Sequence, residues 1–165
     1  MRFEEYAAAS LDPLFRFASV LTGDRGIAED VVQDVLTKLH QRWGELSRVT
    51  NLDAYVRRMV VNEYLSWRRR WARILPSASV QVPEDDAPDA ATQHAERDNL
   101  ATELKALPPK QRAAIVLRFY EDMSDEDAAV ILGCSPSTVR THVSRALRAL
   151  RISLADDREL QRKEP

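Results

Sequence analysis

The segment 124–151 constrains the fold of this chain most strongly, because it predicts two short helices joined by a tight turn. Ser124 can cap the first helix, and Asp127, three residues on, can complete a reciprocal pair of the capping-box kind. Gly133 can end this helix in a left-handed conformation. Ser135 can cap the second helix, and a proline follows it at the first helical position. Both helix boundaries are therefore encoded locally.

Apolar and basic residues of this segment fall on different helix faces. The first helix has a small apolar face made of Ala128, Ala129, Val130, Ile131 and Leu132. The second has apolar residues at helical spacing, namely Val139, Val143, Ala146, Leu147 and Leu150. Its basic residues point elsewhere, and no acidic residue lies between Ser135 and Ala155. The pattern predicts a DNA-binding helix-turn-helix, although an ordinary helical hairpin with a solvated basic face would share it.

Composition favours a soluble, mostly helical protein. Hydrophobic residues make up 44% and charged residues 30%, and there are only 4 glycines. With a net charge of -2, any affinity for nucleic acid has to come from local segregation of charge. No apolar run is long enough for a membrane helix, so no membrane insertion is expected. Cys134 is the single cysteine, which excludes an internal disulfide and suits a cytoplasmic location.

The distribution of charge and proline predicts an all-α chain with two small helical domains. Residues 1–75 and 96–155 carry the helical patterns. Residues 76–95 contain three prolines and four acids but no lysine or arginine, which predicts a flexible acidic linker. Residues 156–165 form a polar, mixed-charge tail.

Apolar periodicity locates the remaining helices. The first contains Leu11, Leu14, Phe15, Ala18 and Leu21 and ends at Thr22-Gly23-Asp24. The next spans about Gly26–Trp43, followed by a loop at Gly44–Asn51 and a third helix at about Leu52–Arg73. In the second domain, helices at about Ala95–Leu107 and Lys110–Glu121 precede the helix-turn-helix.

The end of the third helix, Asn62–Arg73, combines arginines with aromatic residues. Cationic side chains neutralise phosphates, and aromatic rings stack on unpaired bases. The cluster Arg68–Arg70 therefore indicates contact with nucleic acid, preferably a single strand. Trp67 and Trp71, four residues apart, also fit a simpler role as core anchors.

The polar face of the second helix, with Glu29, Asp30, Gln33 and Asp34, is the third candidate surface. Paired carboxylates could serve acid–base catalysis or bind a metal. However, the histidines are scattered and no metal-ligand spacing, nucleophile motif or phosphate-binding loop is present. We therefore expect neither an enzyme nor a cofactor, and the face is either solvated or docks on a protein.

Three motifs together resemble the extracytoplasmic-function (ECF) group of the bacterial sigma-70 family. AEDVVQDVLTKLHQRW (Ala28–Trp43) is similar to the D-x-x-Q-[DE] helix of its second region. LDAYVRRMVVNEYLSWRRR (Leu52–Arg70) is similar to its promoter-melting helix, and Ala106–Arg151 resembles its fourth region nearly throughout. Any one motif is weak, but their order and spacing are specific. The resemblance covers about Leu14–Arg73 and Asn99–Arg151.

The resemblance implies that the chain binds core RNA polymerase, at its clamp coiled coil and its flap, and directs it to promoters. By motif position, the residues that would dock on the clamp are Asp30, Gln33, Asp34, Thr37, Lys38 and Gln41. An anti-sigma protein that wedges between the domains is a possible further partner.

The resemblance also implies two DNA surfaces. The melted −10 element, with one base flipped into a pocket beside the loop Leu46–Asp53, would be held by Arg57, Arg58, Asn62, Tyr64, Arg68 and Arg69. The duplex −35 element would be read by Ser137, Thr138, Arg140, Thr141, His142, Ser144, Arg145 and Arg148.

Two rival interpretations remain. The helix-turn-helix is also similar to the output domain of LuxR-type transcription regulators, which act at operators without replacing a sigma factor. The chain could instead be a helical interaction protein that binds polymerase without DNA. The LuxR-type interpretation leaves the second helix and the arginine-rich helix without a role.

Overall fold

The computed structural model describes the backbone of residues 1–74 and 93–162, and the side chains of 1–74 and 100–151. This part of the chain contains eight α-helices, one π-helical turn and no strand, so the predicted all-α class is confirmed. The bounds are α1 Phe3–Thr22, α2 Arg25–Gln41, α3 Trp43–Leu46, α4 Leu52–Ile74, α5 Gln93–Ala106, α6 Pro109–Ile115, the π-helical turn Val116–Tyr120, α7 Asp125–Leu132 and α8 Pro136–Arg162.

The chain divides into two compact units, Met1–Asp89 and Ala90–Pro165. The predicted acidic linker lies outside the described residues, except that its last three positions begin α5. Residues 156–162 of the predicted polar tail belong to α8, which ends at Arg162.

In the N-terminal unit, α1, α2 and α4 pack around one apolar core. The α1–α2 junction follows the local code: Gly23 ends α1 with a φ of 67°, and the Asp24 carboxylate accepts a hydrogen bond of 2.8 Å from the amide of Ile27. The fully buried side chains are Phe17, Ala18, Leu21, Ala28, Val31, Val35, Leu39, Val56, Val60, Val61 and Tyr64.

An aromatic cluster joins the start of α1 to the end of α2 and to α3. The Phe3 ring lies 4.7 Å from that of His40 and 5.6 Å from that of Trp43, while Tyr6 lies 5.4 Å from Trp43. These tilted and edge-on arrangements are those that aromatic pairs prefer. The cluster explains why the chain turns into α3 at Trp43, where the sequence predicted the end of α2.

Three sequence-based expectations for this unit need correction. The predicted loop Gly44–Asn51 begins inside α3. Leu11, placed in the apolar stripe of α1, is 47% exposed, because the buried face of α1 runs through Leu14, Phe17 and Leu21 instead. Phe15 is partly exposed and lies beneath the guanidinium of Arg25.

In the C-terminal unit, α6 and α7 pack on α8. Arg112 of α6 is only 3% exposed, and its Nε donates a 2.5 Å hydrogen bond to the carbonyl of Leu104 in the last turn of α5. Carbonyls in a last helical turn lack partners within the helix, so this buried arginine satisfies one of them.

The predicted helix Lys110–Glu121 is wrong in detail. The α-helix α6 ends at Ile115, and a π-helical turn follows it.

The helix-turn-helix has its predicted boundaries. The Ser124 hydroxyl accepts a hydrogen bond of 3.1 Å from the amide of Asp127, which is one half of the predicted capping pair. Gly133 has a φ of 66°, and the Ser135 hydroxyl accepts one of 3.2 Å from the amide of Thr138. The prediction that Val130 belongs to the apolar face of α7 is wrong, because its side chain is 65% exposed.

Replacing Gly133 with alanine is expected to lower the free energy of unfolding by about 1–2 kcal/mol, because an L-residue is strained at positive φ. A Cβ there would meet no atom within 4 Å, so backbone strain is the whole cost. Gly44→Ala is the matched control: its Cβ would also meet nothing within 4 Å, but Gly44 lies in α3 and should gain stability. Chemical denaturation would test this, and equal signs for the two variants would contradict it.

Candidate functional site

The polar face of α2 is solvent-exposed along its length. The six residues implicated in polymerase docking, all exposed on this helix, are Asp30, Gln33, Asp34, Thr37, Lys38 and Gln41. We call these six residues the α2 face. The Thr37 hydroxyl donates a hydrogen bond of 2.8 Å to the Gln33 carbonyl. The face thus offers carboxylates and amides on a rigid helix, which is chemistry suited to a protein partner.

One residue of the α2 face is tied to α4. The Lys38 ammonium pairs with the Glu63 carboxylate, whose other oxygen lies 3.6 Å from Nη2 of Arg70. The side chain of Glu63 is only 12% exposed. Because the Glu63 carboxylate is mostly removed from water, it interacts with its two cations more strongly than a surface carboxylate would, although both cations are more than half exposed. Arg70, counted with the arginine cluster, is therefore partly neutralised within the protein.

The arginine-rich helix α4 places its candidate DNA contacts unevenly. Arg58, Asn62 and Arg69 are exposed. They share one helix face, because Asn62 follows Arg58 by four residues and Arg69 follows Asn62 by seven. Arg57 and Arg68 are partly exposed. Tyr64 is a correction: it is 1% exposed and belongs to the core, so its ring is not available to stack on a base in this structure. Trp67 and Trp71 contact each other at 5.5 Å between ring centroids, and Trp71 remains 39% exposed.

A pocket of about 520 Å³ lies beside the loop before α4, where the resemblance places the flipped base. Its wall on the loop side consists of Thr50, Asn51, Leu52 and Asp53, with Arg57 on α4 and residues of α1 opposite. The Asn51 side chain accepts a 3.0 Å hydrogen bond from the amide of Ala54, so it also caps α4.

A partly buried hydrogen bond links α1 to the start of α4 at the wall of this pocket. The Tyr6 hydroxyl on α1 donates to Oδ1 of Asp53 at 3.1 Å. Burial, with the hydrogen bond and charge of Asp53, raises the pKa of Tyr6 to about 12. The hydroxyl therefore stays protonated at physiological pH, and the bond between α1 and the start of α4 persists.

The second helix of the helix-turn-helix presents a polar and basic surface. Six of its candidate contacts are exposed: Ser137, Arg140, Thr141, Ser144, Arg145 and Arg148. Thr138 is partly exposed, and its hydroxyl lies 2.9 Å from that of Ser135 at the helix start. The N-terminal half of α8 thus has the side-chain chemistry that reads base edges and holds phosphates.

His142 differs from the other candidates because it faces inward. It is partly exposed, and its Nδ1 atom is buried with no hydrogen-bond partner among the described residues. Burial, with the positive charges of Lys110 on α6 and Arg145 on α8, lowers the pKa of His142 below its usual 6.5. The neutral form of the imidazole is therefore favoured at neutral pH. With its Nδ1 buried, His142 offers less of its ring to DNA than the sequence predicted.

This environment predicts a pH-dependent stability. The unfolded chain takes up a proton at His142 near pH 6.5, whereas the folded chain resists it, so the free energy of unfolding should fall as pH drops below 6.5. Melting temperatures of the parent and His142→Gln, compared between pH 7.5 and 5.5, would test this. The parent should lose more stability than the variant; parallel losses would contradict the prediction.

A cluster missed in the sequence lies beside this surface. Asp125, at the start of α7, forms ion pairs with Arg118 at 2.7 Å and with Arg140 at 3.5 Å. It lines a groove of about 750 Å³ with four arginines, two of which are Arg148 and Arg151. Sequence spacing gave no signal for this pairing, because the three helical segments involved must first be packed together.

Other site types are not indicated. Residues 1–74 and 100–151 contain no group of three or more histidine, cysteine, aspartate or glutamate side chains placed to hold a metal ion. Among the helices of the described residues, none is long and apolar enough to cross a membrane.

Comparisons with known proteins identify the family of the chain. Residues 7–74 match the family described as Sigma-70 region 2, and residues 97–150 match Sigma-70, region 4. The RNA polymerase sigma-E factor of Streptomyces coelicolor is 40% identical over 99% of this chain and 94% of its own length. The ECF RNA polymerase sigma factor SigL of Mycobacterium tuberculosis is 32% identical over 93% of this chain and 87% of its own.

A solved structure gives the same result. The sigma factor RpoE of Bartonella quintana, determined in complex with the anti-sigma factor NepR, is similar with a TM-score of 0.73 and 30% identity. The match covers 93% of this chain and 96% of that one. The LuxR-type alternative accounts for neither the N-terminal match nor relatives aligned over almost the whole chain. The chain belongs to the sigma-70 family of RNA polymerase sigma factors, within its ECF group.

Proposed function

We propose that this sigma factor binds core RNA polymerase through the α2 face, opens the −10 element with α4 and reads the −35 element with α8. The observation that carries the proposal is that α2, α4 and α8 each expose a polar surface while their apolar residues are buried in the cores of the two units. A single DNA-binding function would leave the α2 face without a role.

The C-terminal unit is proposed to dock on the polymerase flap as well. Phe119 and Tyr120, at the end of the π-helical turn, are 62% and 48% exposed. Adjacent exposed aromatic side chains are typical of protein contacts. Such a second contact would let a weak −35 interaction contribute to binding of the assembled holoenzyme.

We assign the pocket beside the loop before α4 to a flipped −10 base. Its volume of about 520 Å³ lies within the range of roughly 300–1,000 Å³ found for small-molecule pockets. It combines apolar side chains of α1 with the polar groups of Asn51 and Asp53. A base that leaves the stack needs hydrogen bonds and apolar contact to compensate for a cost of a few kcal/mol.

Filling this pocket should block promoter opening without affecting polymerase binding. Ala9 lines the pocket from α1 and is exposed, so Ala9→Phe adds a ring there without disturbing the core. We expect at least about a tenfold loss of open complexes, because the flipped base loses its site. Ala8→Phe is the matched control, since Ala8 is also exposed on α1 and is not among the pocket residues.

Permanganate footprinting of holoenzyme on a supercoiled promoter would measure opening, with a core-binding assay run in parallel. Equal opening by Ala9→Phe and Ala8→Phe would contradict the assignment. Asn62→Ala should also impair opening while closed-complex binding is largely kept.

The −35 role makes a separate prediction. Arg145→Ala should weaken −35-dependent promoter binding by about 1–3 kcal/mol, or roughly 5- to 150-fold, because arginine can pair bidentately with guanine. Binding of holoenzyme to a promoter and to the same promoter with a scrambled −35 element would be compared. An unchanged ratio would remove Arg145 from the reading surface.

The whole proposal is tested by mixing the purified chain with core polymerase and promoter libraries and mapping transcript starts. Specific starts that require the chain are expected. No stimulation, together with tight operator binding by the chain alone, would instead favour a LuxR-type regulator.

We also propose an anti-sigma partner. The Bartonella quintana relative was solved with the anti-sigma factor NepR, which supports the same class of partner here. Co-purification of a partner that blocks core binding by the parent would support this proposal, and failure of every candidate encoded beside the gene would count against it.

A further inference from the structure

Asp125 lies between two arginines of different helical segments, Arg118 of the π-helical turn and Arg140 of α8. Nε of Arg118 is 2.7 Å from Oδ1 of Asp125, a distance typical of a charge-assisted hydrogen bond. Arg118 also donates through Nη1 to the carbonyl of Met123. The guanidinium of Arg118 is thus held on two sides, which fixes the orientation of the Asp125 carboxylate.

The second carboxylate oxygen then faces the DNA-reading helix. Oδ2 of Asp125 lies 3.5 Å from Nη1 of Arg140, which is in the second turn of α8. Asp125 has a side-chain exposure of 21%, against 58% for Arg140. The pair is long and half-exposed, so it adds little to stability. Its effect is geometric: it restricts where one flexible arginine can point.

A restricted arginine is better suited to base recognition than a mobile one. Arginine has five N–H donors, and the contact with Asp125 uses one of its terminal nitrogens. The remaining donors stay available to a base edge or a phosphate. A mobile Arg140 could bind phosphates of any sequence, whereas a held one favours the geometry of a particular site.

We propose that Asp125 is a positioning residue for −35 recognition, which orients Arg140 and raises the discrimination of the helix-turn-helix between specific and non-specific duplex. The inference rests on the proposed −35 role of α8. It adds a residue of α7 that would not itself contact a base. Because Asp125 is also an acid among the arginines of the groove, it should lower non-specific affinity for DNA.

The test compares Asp125→Asn with Glu126→Gln in holoenzyme. Both substitutions remove one negative charge from the first turn of α7, but Glu126 is exposed and outside the groove. Both should strengthen binding to duplex with a scrambled −35 element. Only Asp125→Asn should lower the ratio of specific to scrambled binding, by about two- to fivefold, because a half-exposed ion pair can hold an arginine no more strongly than that.

A double-mutant cycle with Arg140→Ala separates positioning from a general loss of folding. In the Arg140→Ala background, Asp125→Asn should leave the ratio unchanged, since the residue it orients is gone. A fall of the ratio in both backgrounds would show a merely structural role, and a ratio like that of Glu126→Gln would also overturn the inference. If the parent holoenzyme does not distinguish the two duplexes, the proposed −35 role fails first.

Discussion

Replacing Tyr64 with alanine is expected to lower the free energy of unfolding of the N-terminal unit by about 3–5 kcal/mol, the range for removing a buried aromatic side chain. Tyr64 is 1% exposed and packs in the core that α4 shares with α1 and α2. The loss should appear in urea denaturation as a lower midpoint with an unchanged slope. Because natural domains have only about 5–15 kcal/mol of stability, this variant would be close to unfolding at growth temperature.

Trp71→Ala provides the control on the same helix. Trp71 is 39% exposed and contacts Trp67, so its removal should cost about 1 kcal/mol. Equal losses for the two variants would contradict the burial of Tyr64. A stable Tyr64→Ala variant that fails only in promoter opening would restore the DNA contact first predicted for this residue.

Reversing one charge on the α2 face should have the largest effect on assembly. We expect Asp34→Lys to raise the dissociation constant for core polymerase by about 100-fold or more. An acidic docking surface implies a complementary positive partner, and placing like charges together costs several kcal/mol, with a factor of ten for each 1.4 kcal/mol. The effect should weaken as salt is added, because exposed charges are screened.

Asp12→Lys is the matched variant for this measurement. Asp12 and Asp34 are both exposed aspartates within helices of the same unit, so the change in net charge is identical. Titration of labelled chain with core polymerase should separate the two variants. If both bind equally well, docking does not use Asp34; if both bind equally poorly, net charge and not the α2 face determines binding.

Local chemistry explains what could be predicted from the sequence. Ser124, Gly133 and Ser135 act on backbone groups within a few residues of themselves, so the helix-turn-helix boundaries could be placed without knowing the tertiary fold. The same holds for the end of α1 at Gly23. Regular helical spacing of apolar residues likewise predicted the all-α class.

Tertiary packing decided the features that the sequence did not reveal. Val60 and Val61 are consecutive and so point about 100° apart around α4, yet both are buried, because α1 and α2 cover a wide strip of that helix. From the sequence, a tyrosine in a basic, aromatic segment is equally consistent with stacking on a base and with packing in the apolar core. The pairing of Asp125 with Arg140 likewise depends on how α7 crosses α8, which local spacing does not specify.

The carboxylate of Glu63, shared by Lys38 and Arg70, affects how an alanine scan of the α2 face would be interpreted. Truncating Lys38 would leave the mostly buried Glu63 carboxylate paired with Arg70 at 3.6 Å, and a buried charge that loses a partner is costly. A transcription defect in that variant would therefore have two causes that the measurement does not separate, namely weaker docking on polymerase and a disturbed α4. Asp34, exposed on the same helix, gives the cleaner measure of docking, and Lys38 should be scanned only together with Glu63.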